Sequence, residues 1–183
     1  MGLDRIGIVM ETRKKLSLPV VSLSAEYLVI GHLLRRNILA YKAPPNNQGY
    51  DLLCTHPDPA HATKTLRVQV KSRYQTDCDR SFPVRRDSFR HFDYLVAVFL
   101  NVGLFFCPLD EADDPKNYKG EVEFVVLPNH MALDMLRAVQ SGFSKVHLPK
   151  SGMECYRNDE GFELIARDLR IDYPARITAR KCR

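Results

Sequence analysis

An α/β fold is predicted for this chain, and three stretches predict it. Residues 22–36, SLSAEYLVIGHLLRR, repeat apolar positions at helical spacing. Three strand-like stretches follow at 38–44, 50–55 and 66–73, joined by turn-rich or hairpin-length loops, so the chain opens as αβββ. The run YLVAVFL at 94–100 is strongly apolar, as a central strand is.

Each element has its own warrant. Residues 1–19 are ambiguous: IGIVM suits a short strand or a helix start, and Pro19 is expected to break the chain before the first helix. Within that helix Ser22 or Ser24 is the expected cap. Leu23, Tyr27, Ile30 and Leu34 form the expected apolar stripe, and Gly31 is a point of close packing against a sheet. Glu26 falls in the first turns, and Asn37 is the end signal.

The stretch PPNNQG (44–49) is turn chemistry throughout, and HPDPAHATK (56–64) reads as a long hairpin loop. LRVQVKSR (66–73) alternates almost strictly. Leu66, Val68, Val70 and Ser72 point one way, and Arg67, Gln69, Lys71 and Arg73 the other. Residues 74–93 are polar and basic with interspersed Phe, and suit a loop with a short helix around RRDSFRHF. Further strands are expected at 104–109 and 122–128, then a helix capped by Asn129 and running through HMALDMLRAVQSG. From Phe143 the patterning weakens, and GFELIARDLR (161–170) suits a covering helix or an arm for a partner. The expected organisation is one domain over 1–140 with a C-terminal extension, 141–183, packed on it.

Composition excludes several classes. Hydrophobic residues at 45% and charged residues at 27% fit neither a disordered nor a collagen-like chain. No apolar run reaches the roughly 18 residues of a membrane span, and the N-terminus lacks the apolar core of a signal peptide. Cys54, Cys78, Cys107, Cys155 and Cys182 are odd in number and widely spaced, so neither a disulfide framework nor a zinc site is expected. A reducing cytoplasm is the expected location. There is no phosphate-loop or dinucleotide motif, so no nucleotide cofactor is expected. The net charge of +5 favours an acidic partner such as nucleic acid.

One constellation carries chemistry. Asp51 opens the second strand, and Gln69 and Lys71 share one side of the third. An antiparallel hairpin brings Asp51 level with Gln69 and Lys71, and the preceding helix brings Glu26 to the same sheet. Mg²⁺ takes oxygen ligands in near-octahedral geometry and keeps several waters. Asp51 is the main expected ligand, joined by the Gln69 side-chain oxygen, the Val70 main-chain carbonyl and Glu26. Lys71 is placed to orient a water or to stabilise charge on a scissile phosphate. Arg73, Arg80, Arg85, Arg86 and Arg90, with Arg13, Lys14 and Lys15, are candidate phosphate contacts.

These residues carry a resemblance. GYDLLC followed by LRVQVKSR, with AEYLVIGHLLRRN and PPNNQG before them, resembles the PD-(D/E)xK nuclease superfamily in its D…QxK form. The likeness is to its Holliday-junction-resolvase-like and intron-endonuclease-like branches and covers residues 22–109. The resemblance implies a restriction-endonuclease-like αβββαβ core with a central mixed sheet. It implies Mg²⁺, or Mn²⁺ as substitute, and hydrolysis of DNA phosphodiesters. By position Asp51 matches the strand acid, Lys71 the lysine and Glu26 the helix acid, while Gln69 stands where a Glu is usual. A homodimer is an expected assembly, because cutting two strands needs two sites. The alternative is a catalytically degenerate nuclease-fold protein that binds DNA or a protein partner without cleavage.

Overall fold

The structure is a computed structural model and describes residues 19–44, 47, 49–73, 79–101, 120–138 and 144–172. Among the described residues three helices, α1 (Pro19–Leu34), α2 (Asn129–Asp134) and α3 (Asn158–Asp168), accompany eight strands. The strands are β1 (Leu39–Lys42), β2 (Leu52–Thr55), β3 (Thr65–Arg73), β4 (Ser81–Pro83), β5 (Tyr94–Phe99), β6 (Glu123–Pro128), β7 (Leu136–Ala138) and β8 (Ser144–His147). A 3-10 helix at Arg86–Arg90 lies between β4 and β5.

Five strands form the central sheet in the order β1-β2-β3-β5-β6. β3 and β5 run parallel, and every other pairing is antiparallel, so the sheet is mixed as predicted. Parallel neighbours need a crossover. Here it passes through β4 and the 3-10 helix, where the αβββαβ pattern has an α-helix.

The alternation of β3 divides the core in two. Leu66, Val68 and Val70 join Val96 and Val98 on a first face, covered by Ala25, Val29 and Leu33 of α1 and by Phe162, Ile165 and Ala166 of α3. Burying each Leu or Val here contributes about 1.5–3 kcal/mol. Leu95, Ala97, Phe99, Val125 and Leu127 line a second face, with Phe82, Val84, Phe89, Phe92, Val146 and Leu148 against them. That second cover is built largely from a small antiparallel sheet, β4-β8-β7.

The first helix departs from the predicted reading in three ways. It begins at Pro19. Proline suits a first helical position, where its missing N–H has no partner to lose. Its buried side is Ala25, Val29 and Leu33, whereas Leu23, Tyr27 and Leu34 of the predicted stripe are exposed. The helix is apolar on several faces, so spacing alone does not select the buried one. Gly31 is exposed, and a Cβ there would meet nothing within 4 Å. It is therefore no packing glycine. Asn37 does end the helix, with a φ of 57°.

The second sheet was not legible. β4 and β7 have three residues each, too short for a period-2 signal. The helix expected from Asn129 stops at Asp134, and the following residues become β7 because β8 supplies ladder partners from Leu136 to Ala138. The Asn129 amide does not cap α2. It donates instead to the carbonyls of Phe89 and Phe92. The strand expected at 104–109 lies outside the described residues. Cys54 is free and buried, and burial pushes its thiol up to about 12. Cys155 is disulfide-bonded, against the expectation of reduced thiols.

Candidate active site

The site begins where the β2–β3 ladder ends. Leu52 pairs with Val68 as the last rung, so Asp51 stands one step beyond, level with Gln69. The Asp51 N–H still donates to the Val68 carbonyl at 2.9 Å. Its Oδ2 accepts from the Val70 N–H at 2.6 Å. The carboxylate thus takes the place of the main-chain acceptor that a longer β2 would have offered. The N–H and C=O of one strand residue project to the same edge, so Val70 directs its carbonyl into the same gap.

The turn before Asp51 holds it in place. Ala43 N–H donates to the Asp51 carbonyl at 2.8 Å, and the Asn47 amide donates to the Tyr50 carbonyl at 2.7 Å. Gly49 has a φ of 108°, and a Cβ there would overlap the Cβ of His91. Only glycine satisfies both constraints. His91 closes the 3-10 helix, so this contact packs the helix end against the turn.

Charge and burial act on Asp51 from several sides. Burial pushes its carboxyl above the ordinary range. The Val70 N–H and the Lys71 ammonium pull it down, Glu26 pushes it up, and Lys42 pulls it down. The net direction is upward, so the folded protein resists the negative charge here. A cation would relieve that resistance.

Gln69 and Lys71 stand side by side on the second face of the sheet, paired in register with Leu95 and Ala97 of β5. Lys71 is half-buried. Gln69 is only 9% exposed, and its Oε1 is buried without a hydrogen-bond partner. An unsatisfied buried acceptor costs about 1–3 kcal/mol.

Glu26 reaches the site from the first face, because α1 covers the opposite side of β3 from Gln69. Its Oε2 pairs with Lys42 Nζ at 2.7 Å. That hydrogen bond raises the Lys42 pKa and keeps the ammonium charged. Lys42 was not a candidate from sequence. Its signal was present in β1, where Lys42 follows Ala40 at a two-residue spacing and so shares its side.

The oxygens gathered around Asp51 suit a hard divalent cation. Asp51 and Glu26 lie near enough for their charges to act on each other, and the Gln69 Oε1 is a buried acceptor without a partner. Among the described residues no group of three or more His, Cys, Asp or Glu that could hold a metal ion occurs, at Asp51 or elsewhere.

The arginines separate into different roles. Arg80 is corrected as a phosphate contact. It is 5% exposed, with its guanidinium over the Phe99 ring at 4.4 Å and bonded to the Leu148 carbonyl and Glu123. Arg73 is partly exposed and donates to the Ser81 carbonyl. Arg85 pairs with Asp87 at 2.7 Å and is exposed, as are Arg86 and Arg90. Arg13, Lys14 and Lys15 lie outside the described residues.

No family model and no curated protein matches the chain. Among solved structures it is similar to a bacterial homing endonuclease, with a TM-score of 0.48 and 20% identity, covering 81% of this chain and 91% of that one. It is also similar to a Holliday junction resolvase from Archaeoglobus fulgidus, with a TM-score of 0.41 and 11% identity, covering 84% of this chain and 98% of that one. No described helix is long and apolar enough to cross a membrane.

Proposed function

We propose that this chain is a Mg²⁺-dependent endonuclease that hydrolyses DNA phosphodiester bonds. One observation carries the reading: the buried, unpaired Oε1 of Gln69 stands beside a carboxylate whose ionisation the protein resists. Asp51, Gln69, the Val70 carbonyl and Glu26 would hold the ion. When bound, Mg²⁺ polarises a phosphodiester and lowers the pKa of a coordinated water.

The chain's own groups do the remaining work. The Val70 N–H fixes the Asp51 carboxylate, so little reorganisation accompanies binding. Lys42 pairs with Glu26 and fixes the position of its carboxylate. Lys71, two residues along the face from Gln69, donates hydrogen bonds to the attacking water or a non-bridging phosphate oxygen and stabilises developing charge. Arg73, Arg85, Arg86 and Arg90 position the backbone of the DNA without reading its bases.

The test is a cleavage panel with Mg²⁺ or Mn²⁺ over duplex, nicked, branched and single-stranded DNA. Asp51→Ala and Lys71→Ala are compared with the parent after their folding is verified. The expected result is a loss of about 10²–10³-fold in each variant. Cleavage unchanged in both would sink the proposal. DNA binding without product in the parent favours the degenerate, binding-only alternative.

A further inference from the structure

The small sheet β4-β8-β7 has one face in the core and one in solvent. Phe82 and Val146 point inward, against the second face of the central sheet. By alternation Ser81, Pro83, Arg137, Lys145 and His147 take the outer side. Arg137 and Lys145 are direct cross-strand partners. Like charges set opposite each other destabilise a sheet. No carboxylate occurs in any of these three strands to offset them.

The surroundings add positive charge. Asp79, just before β4, lies 3.6 Å from Lys145 and 3.7 Å from Arg73, so one acid serves two cations. Counting Arg137, Lys145 and Arg73 against Asp79 leaves three minus one, an excess of two positive charges. Among the described residues Arg137 has no acidic partner. The Ser81 hydroxyl and His147 Nδ1, 2.9 Å apart, add hydrogen-bonding groups to the same side.

The position of this surface matters as much as its charge. Arg73 lies on β3 two residues past Lys71, on the same side as Gln69 and Lys71. Its guanidinium donates to the Ser81 carbonyl of β4 and lies over the Phe82 ring at 5.4 Å. Two residues of strand span about 6.6 Å. That is close to the spacing of successive phosphates along one strand. Arg73 therefore links the candidate active site to the outer side of the small sheet.

We infer that the outer face of β4-β8-β7 is a second docking surface for duplex DNA, taking the phosphate backbone that flanks the bond held at Lys71. The inference rests on the DNA-directed part of the proposed function and not on cleavage. Arg137 and Lys145 each neutralise a phosphate and release its counterions. The like-charge pair that destabilises the free sheet becomes favourable when the polyanion arrives.

The experiment measures binding of the full chain to a fixed duplex over a range of salt concentrations, in EDTA so that no cleavage occurs. Arg137→Ser/Lys145→Ser is compared with the parent and with Arg35→Ser/Arg167→Ser, which removes the same charge from exposed positions just past α1 and in α3, the two helices of the first face. The log–log salt slope is expected to fall by about 1.8, or 0.9 for each lost contact, in the small-sheet variant, and to stay near the parent in the control. Arg137→Lys/Lys145→Arg is expected to keep the parent slope. The Tm of the serine variant should equal or exceed that of the parent, because the repulsion is gone. A parent-like slope in the serine variant, or an equal fall in the helix control, overturns the inference. If the parent shows the slope difference but yields no product with Mg²⁺, the docking surface stands and cleavage falls. If Asp51-dependent cleavage occurs with no slope difference, cleavage stands and the docking surface falls.

Discussion

The two sides of β3 differ by one residue in sequence and completely in environment. Leu66, Val68 and Val70 are sealed under α1 and α3. Arg67, Gln69, Lys71 and Arg73 lie at the margin of a cover that protects β5 and β6 but leaves β3 partly accessible. On the first side the residues of β3 meet apolar neighbours. On the second an amide oxygen is buried without a partner, and a carboxylate is held where its charge is disfavoured. The larger apolar packing and the candidate site thus lie on opposite sides of one strand.

The largest effects should come from breaking that division on the functional side. Asp51→Ala is expected to remove at least 10²-fold of DNA cleavage, about 3 kcal/mol, in single-turnover assays. Asp51→Asn should lose as much activity, yet leave Tm in metal-free buffer at or above that of the parent. A clear fall in Tm would mean that the carboxylate serves the fold.

On the sealed side, Leu66→Ala should cost about 2–5 kcal/mol in denaturant unfolding, with the parent's Mg²⁺ requirement retained in the folded fraction. A cost below 1 kcal/mol would show that the first face is not the stabilising one.

The pair Arg67–Asp93 lies lower on the second side, away from Gln69. Burial raises the Asp93 carboxyl, but the Arg67 side chain and N–H outweigh it, and the net pKa is below the usual 3.8. A carboxylate with a lowered folded pKa contributes stability that is full above its unfolded value and is lost as pH falls through the folded one. Asp93→Asn should therefore cost about 1 kcal/mol at pH 7, with both groups about one-third exposed, and the gap to the parent should close below pH 3.8. A gap independent of pH would reject the ion pair as its cause.

The smallest effect is a gain. Gly31→Ala puts a methyl into open space on α1 and should stabilise the protein by up to about 1 kcal/mol without changing cleavage.

Much of this was readable before the fold was known, for a physical reason. Strict alternation at 66–73 binds each side chain to a side, so the pairing of Gln69 with Lys71 followed from sequence. Asp51 followed from its place after the turn at 44–49. The buried face of α1 did not follow, because Leu23 and Leu34 are as apolar as Val29 and Leu33, and only the sheet decides between them. β4 and β7 are too short to carry a period and exist because β8 pairs with both. Arg80 resembled its basic neighbours, yet its stem and guanidinium fill space beside Phe99. The place of Lys42 depends on Glu26, which reaches it only after α1 packs against β1.

The most direct test of a cation site at Asp51 is crystallography with Mn²⁺ and anomalous scattering, on the parent and on Asp51→Ala. The account predicts an ion about 2.0–2.3 Å from an Asp51 oxygen, with Gln69 Oε1 and the Val70 carbonyl also coordinated, and no ion in the variant. Anomalous density elsewhere only, or density at this position that persists in Asp51→Ala, would contradict it.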